Sequence, residues 1–175
     1  MGYAVKDWAN AYANAPNIPE GDAWPDRWVA PAAAFREAQG TKARLDIAYG
    51  PGERETLDLF LPEDAPRGLV VFVHGGFWFR LDKSFFSHLA AGAVGRGWAV
   101  AMPSYPLCPT VRVRDITARI GAAIERAAAE VPGPIRLIGH SAGGHLVTRM
   151  ICVDTPLGRG LGCIKAHGIV DRRPQ

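Results

Sequence analysis

No stretch of the sequence holds the roughly eighteen consecutive apolar residues that a membrane-spanning helix requires, and the N-terminus lacks the basic region and apolar core of a secretory signal. A cytoplasmic protein without membrane contact is the expectation. Cysteine is sparse. Cys108, Cys152 and Cys163 are odd in number, lack metal-type spacing and have apolar neighbours, which favours free buried thiols over metal ligands or disulfides. There is no basic run and no alternation of aromatic and basic residues, and a net charge of +3 is too mild to mark a nucleic-acid surface. Repeats and low-complexity linkers are missing as well. What is present, 48% hydrophobic and 21% charged residues in a chain of 175, is the composition of one soluble globular domain.

Two glycine motifs stand out against that background. Gly139-His140-Ser141-Ala142-Gly143-Gly144 follows the apolar run Ile135 to Ile138 and precedes a helix-compatible segment. A Gly-x-Ser-x-Gly at such a place is a sharp strand-to-helix turn that holds the serine hydroxyl clear of the sheet in a strained backbone conformation. The glycines two residues to either side leave room for the neighbouring elements. The spacing also arises by chance in glycine-rich chains, so context decides. The second motif, His74-Gly75-Gly76-Phe77-Trp78, follows Leu69 to Val73, which reads as a buried parallel strand. Alone, the glycine pair would read as a turn closing that strand. With the elbow downstream, Ser141 becomes the candidate catalytic nucleophile, and the N–H groups of Gly75, Gly76 and Ala142 the candidate oxyanion hole.

These motifs occur with Leu81-Asp82-Lys83-Ser84, Tyr105-Pro106-Leu107-Cys108-Pro109, Ala48-Tyr49-Gly50-Pro51 and Leu57-Asp58-Leu59-Phe60-Leu61-Pro62. The set resembles the kynurenine formamidase (arylformamidase) branch of the α/β-hydrolases, which is related to the hormone-sensitive-lipase-like esterases. The resemblance runs from about Tyr12 to the C-terminus. It implies an α/β fold with a mostly parallel sheet and helices on both faces. It also implies a small-molecule substrate, either an aryl formamide such as N-formylkynurenine or a short carboxylic ester, attacked by Ser141 to give an acyl-enzyme. No cofactor and no metal are implied. Phe77 and Trp78, after the glycine pair, and Tyr105, expected on the rim where strand ends carry chemistry, are the candidate substrate-binding residues. Lys83 could touch a substrate carboxylate, although a lysine at a helix start is usually solvated.

Along the chain, Pro25 starts a helix that Gly40 ends, within an aromatic lead segment carrying Tyr3, Trp8, Tyr12, Trp24 and Trp28. In the resembled family this arm covers the active-site mouth, so these aromatics either line the pocket or only pack the arm onto the domain. Ala43 to Tyr49 and Glu55 to Leu61 form an antiparallel hairpin across Gly50-Pro51-Gly52. Asp82 caps a helix running to about Val94, a strand spans Trp98 to Met102, a helix spans Val111 to Glu130, and a last strand spans Ile164 to Val170. Alternating βα units of this kind predict a parallel sheet with right-handed crossovers.

In this fold the triad runs Ser, then Asp or Glu, then His. The resembled family places its acid and base after two further strands, whereas 34 residues follow Ser141 here. His145, four residues on along the helix, suits packing better than catalysis. His167 and Asp171 stand in the reverse of the expected order, and Asp154 is the other downstream acid. The expectation is a domain with an arm at 1–40 and a partial core at 41–175, truncated at its C-terminal end and lacking the last strands and helices. Its open sheet edge would invite self-association or a homo-oligomer. The rival reading is an inactive fragment or a non-enzymatic binding module that retains the pocket.

Overall fold

The computed structural model describes residues 5–152 and 165–168. Six strands, β1 (Ala43–Ala48), β2 (Thr56–Phe60), β3 (Leu69–Val73), β4 (Ala99–Pro103), β5 (Ile135–Gly139) and β6 (Lys165–Gly168), form one sheet in the order β1-β2-β4-β3-β5-β6. The β1–β2 and β2–β4 pairs are antiparallel. The β4–β3, β3–β5 and β5–β6 pairs are parallel. The helices are α1 (Trp8–Tyr12), α2 (Trp24–Gln39), α3 (Ala91–Val94), α4 (Val113–Glu130) and α5 (Ala142–Cys152). Tyr3, Asp154, Cys163, Asp171 and the outer residues of the expected last strand lie outside the described residues.

Side-chain alternation along the buried strands builds two cores. Leu57, Leu59, Leu69, Val71, Val73, Ala99, Ala101, Ile135 and Leu137 face one side of the sheet, where α4 supplies Ile116, Ile120 and Ile124 and α5 supplies Leu146, Val147 and Met150. Phe60, Val70, Phe72, Val100 and Met102 face the other, beneath Phe86, Ala90 and the α2 residues Trp28 and Phe35. β3 is buried at every position because it is central and covered on both faces, which is why its sequence is a continuous apolar run. The edge strand β1 is mostly exposed, and a bulge between Arg44 and Ile47, with Asp46 at φ +55°, breaks its regularity. Charge and a bulge on an edge discourage pairing with a further strand.

The segment 82–94 differs from the expected single helix. Asp82 does cap its start, accepting from the Ser84 N–H at 2.7 Å, but the turns at Lys83–Phe85 and Ser87–Ala90 are 3-10, followed by the single turn of α3. Arg36 of α2 explains the break. Its guanidinium donates to the Ser84 carbonyl at 2.7 Å and to the Ser87 hydroxyl at 2.8 Å, taking an acceptor that a continuous helix would use.

Lys83 is not solvated either. Its ammonium lies between Asp46 at 2.6 Å and Asp58 at 2.7 Å, and Asp58 also accepts from the Asp46 N–H at 3.0 Å. Burial works to lower the lysine pKa, but the hydrogen bonds to the two carboxylates outweigh it and raise it. The cluster pins the β1 bulge and the 82–87 turns to the sheet. In the full-length protein, Asp58→Ala should cost about 3–5 kcal/mol in urea denaturation, because it leaves a buried ammonium without its buried partner. The double variant Asp58→Ala/Lys83→Met should recover part of that loss.

Candidate active site

The two glycine motifs lie at the carboxyl ends of the adjacent parallel strands β3 and β5 and meet there. Ser141 stands between β5 and α5 with φ +52°, the strained turn expected of the elbow, and it is exposed. The flanking glycines are steric necessities. A Cβ on Gly139 would meet the Gly143 carbonyl oxygen at 2.3 Å, and one on Gly143 would meet the Val73 carbonyl oxygen at 2.0 Å. Gly75 abuts the elbow directly, since a Cβ there would lie 2.8 Å from His140 Nδ1 and 3.0 Å from Ser141 Cβ. As the first residue of α5, Ala142 presents one of the N–H groups that a helix start leaves without an intrahelical acceptor.

The loop from Gly76 to Leu81 carries several left-handed residues in succession: Gly76 at φ +117°, Phe77 at +53°, Trp78 at +62° and Leu81 at +67°. For residues other than glycine each costs on the order of 1–3 kcal/mol, so the surroundings must hold the loop. They do so at several points. The Gly76 carbonyl accepts from the N–H groups of Phe79 at 3.1 Å and Arg80 at 3.0 Å, and the Trp78 carbonyl accepts from the Cys108 N–H at 2.8 Å. Arg54 donates through Nη2 to the Leu81 carbonyl at 2.6 Å and through Nε to the Tyr105 carbonyl at 2.9 Å.

Phe77 and Trp78 are half-buried on this loop. The Phe77 ring stacks on Phe79 at 6.0 Å, with the Arg80 guanidinium 5.6 Å from its centroid. Trp78 meets His145 edge-on at 5.4 Å. Tyr105, expected at the rim, is instead fully buried. Its hydroxyl donates to the His74 carbonyl at 2.9 Å, and its ring stacks on the His74 imidazole at 4.2 Å with 7° between planes. Phe86 covers the other face of His74 at 5.9 Å. Of the aromatics in the lead segment, Trp28 reaches the elbow, standing edge-on to His140 at 6.1 Å, whereas Trp8 and Tyr12 stack on each other and are exposed. Arg54 and Phe86 were not legible as site residues. An arginine in a turn and a phenylalanine in a short helical segment carry no motif, and only the fold brings them to the loop.

The His145 backbone N–H donates to the Ser141 carbonyl at 3.4 Å, but its imidazole makes no hydrogen bond to Ser141, and the register sets His167 of β6 opposite Ile138. Cys108 is a free, half-buried thiol. Among the described residues no group of His, Cys, Asp or Glu could hold a metal ion, and no helix is long and apolar enough to cross a membrane. A polar cleft of about 350 Å³, lined by Arg36, Asp46, Arg54, Asp82, Lys83 and Ser104 among others, lies over the β1–β2–β4 end of the sheet and includes no residue of the elbow.

His74 is 1% exposed, and burial lowers its pKa to about 4. The folded state therefore holds a neutral imidazole, while the unfolded chain titrates near the ordinary value of about 6.5. The stability linked to this group is fully present above about pH 6.5 and is lost as the pH falls through about 4, up to about 3 kcal/mol in all. Urea denaturation of the full-length protein between pH 7 and 4 should show that fall, and His74→Phe should flatten it.

This geometry has relatives. The sequence model of the alpha/beta hydrolase family matches residues 70–171. Kynurenine formamidase of Danio rerio is 32% identical over 122 residues, covering 65% of this chain and 40% of that protein. The isoprenylcysteine alpha-carbonyl methylesterase of Arabidopsis thaliana is 32% identical over 113 residues, covering 60% of this chain and 26% of that protein. A solved structure from a Silicibacter species, provisionally described as a thioesterase, superposes with a TM-score of 0.79 at 57% identity, covering 81% of this chain and 54% of that one. The chain thus spans 40% of the formamidase's length and 26% of the methylesterase's. With the family match extending over more than half of its residues and the α/β sheet beneath it, the chain belongs to the alpha/beta hydrolase family.

Proposed function

We propose that the protein is a serine hydrolase of the arylformamidase or carboxylesterase type, in which Ser141 attacks the carbonyl of an aryl formamide, of the N-formylkynurenine kind, or of a small carboxylic ester. The observation that carries this reading is the left-handed Ser141 lodged against Gly75, which brings an exposed hydroxyl and a glycine backbone into one corner at the end of two adjacent strands. Attack would place negative charge on the former carbonyl oxygen. The N–H groups of Gly75, Gly76 and Ala142 are the donors that would stabilise it. Collapse expels the amine or alcohol and leaves an acyl or formyl group on Ser141 Oγ, which water then removes. The base and acid that assist these proton transfers lie outside the described residues. Phe77 and Trp78 offer an aromatic wall to the substrate. The likeness to a kynurenine formamidase and to an isoprenylcysteine alpha-carbonyl methylesterase supports carbonyl attack as the step, and the formamide is the substrate to try first.

In the full-length protein, a fluorophosphonate probe should label Ser141 stoichiometrically, and Ser141→Ala should abolish both labelling and hydrolysis. Persistent activity in that variant would sink the reading. Gly76→Ala should lower kcat about a hundredfold or more, the typical cost of about 3 kcal/mol for losing an oxyanion donor, because its Cβ would fall 2.0 Å from the Arg80 carbonyl oxygen and displace the loop. A raised KM at unchanged kcat would show that the loop only shapes the pocket. Assays with N-formylkynurenine and p-nitrophenyl acetate side by side would separate formamide from ester preference, with the higher kcat/KM expected for the formamide.

A further inference from the structure

Two hydrogen bonds behind the glycine pair are not explained by packing alone. The Tyr105 hydroxyl donates to the His74 carbonyl at 2.9 Å, and His74 Nδ1 lies 2.6 Å from the Gly75 carbonyl. A carbonyl can only accept, so Nδ1 carries the proton and donates, leaving Nε2 as the unprotonated nitrogen of a neutral ring. Nε2 is buried without a partner. The lowered pKa agrees with that neutral form.

The peptide plane makes these bonds matter. In a trans peptide the carbonyl and the following N–H share one rigid plane and point in opposite directions. The 74–75 and 75–76 peptides are both trans. Fixing the His74 carbonyl therefore fixes the Gly75 N–H, and fixing the Gly75 carbonyl fixes the Gly76 N–H. Each anchor sits on the far side of a peptide from one of the two loop donors in the oxyanion hole. Glycine needs such anchors more than any other residue, because nothing on its own side chain restricts its dihedrals.

We propose that Tyr105 and His74 are positioning residues that aim the Gly75 and Gly76 N–H groups at the developing oxyanion. Tyr105 acts through the His74 carbonyl, and His74 acts through its Nδ1–H on the Gly75 carbonyl. Arg54 serves as an outer tie, holding the Tyr105 and Leu81 carbonyls with one guanidinium. The Tyr105–His74–Phe86 stack keeps the imidazole in the one orientation that reaches the Gly75 carbonyl. Tyr105 thus serves the site without touching the substrate. The inference rests on the serine-hydrolase reading above.

The test uses the full-length protein and Tyr105→Phe, which keeps the stacked ring and removes only the hydroxyl. A positioning role predicts that kcat falls about tenfold or more, part of the hundredfold or greater loss seen when a donor is removed outright, while KM stays within about twofold. Inhibition by a trifluoromethyl ketone, whose tetrahedral adduct needs the oxyanion hole, should weaken in parallel with kcat. His74→Phe should act in the same direction. An unchanged kcat, or a loss of thermal stability with the kinetics intact, would overturn the proposal. If Tyr105→Phe fails to fold, Arg54→Lys decides, since an ammonium cannot span both carbonyls: a reduced kcat at constant KM supports the proposal, and unchanged kinetics overturn it. Failure of the underlying reading looks different, because the wild type would then show neither fluorophosphonate labelling at Ser141 nor trifluoromethyl ketone inhibition.

Discussion

Close packing of backbone against backbone at the ends of β3 and β5 is the constraint on which the site depends. Gly75 lies against His140 and Ser141, Gly143 against the Val73 and His74 carbonyls, and Gly139 against Gly143, each too tightly to admit one more carbon. The adjacency comes from the sheet, because β3 and β5 pair in parallel from Leu69↔Ile135 to Val73↔Gly139, so their following loops leave from the same level and side by side. Parallel pairing brings the loops together, and glycine lets them touch. Ser141 and the Gly75 backbone then share a corner that neither loop could form alone.

Such a corner is costly to hold. Ser141, Phe77, Trp78 and Leu81 all sit at positive φ, and none of them adopts that conformation readily. The offsetting interactions are buried and lie on the inner side of the loop: the Tyr105 and Phe86 rings on His74, and the Arg54, Cys108 and Tyr105 hydrogen bonds to loop carbonyls. Every one of those bonds ends on a carbonyl, and the one that Tyr105 makes to the His74 carbonyl turns the N–H of the same peptide, that of Gly75, the opposite way.

The parts of the fold legible in the sequence were those set by local rules. The β3 and β5 runs, the hairpin of β1 and β2, α2 from Pro25 to Gly40, and the elbow around Ser141 each carry their own signal in periodicity or glycine placement. The illegible parts depend on partners remote in sequence. Lys83 looks like a solvated helix-start lysine until β1 and β2 bring Asp46 and Asp58 to it. The 82–94 segment looks like one helix until Arg36 of α2 claims the Ser84 carbonyl. Tyr105 follows the end of β4, as a rim residue should, but the loop after β3 folds over it and buries it. In all three cases the sequence position was right and the environment was not, since burial is a property of what the rest of the chain packs on top.

The relatives also bear on where specificity can reside. The relatives are named as a formamidase, a methylesterase and, provisionally, a thioesterase, and attack by a serine on a formamide, an ester or a thioester would in each case pass through an oxyanion. On the proposed reading, a corner built from Ser141 and peptide N–H groups would read only that oxygen, whatever lies on either side of the carbonyl. Discrimination would then come from side chains that stand around the corner without forming it. On this chain those are Phe77 and Phe79 with the Arg80 guanidinium over the Phe77 ring, Trp78 with His145 at its edge, and His140 with Trp28 of α2 against it. They lie on separate elements, the loop after β3, the start of α5 and the lead helix. Substitutions there would leave the glycine contacts between the loop after β3 and the turn at Ser141 unchanged.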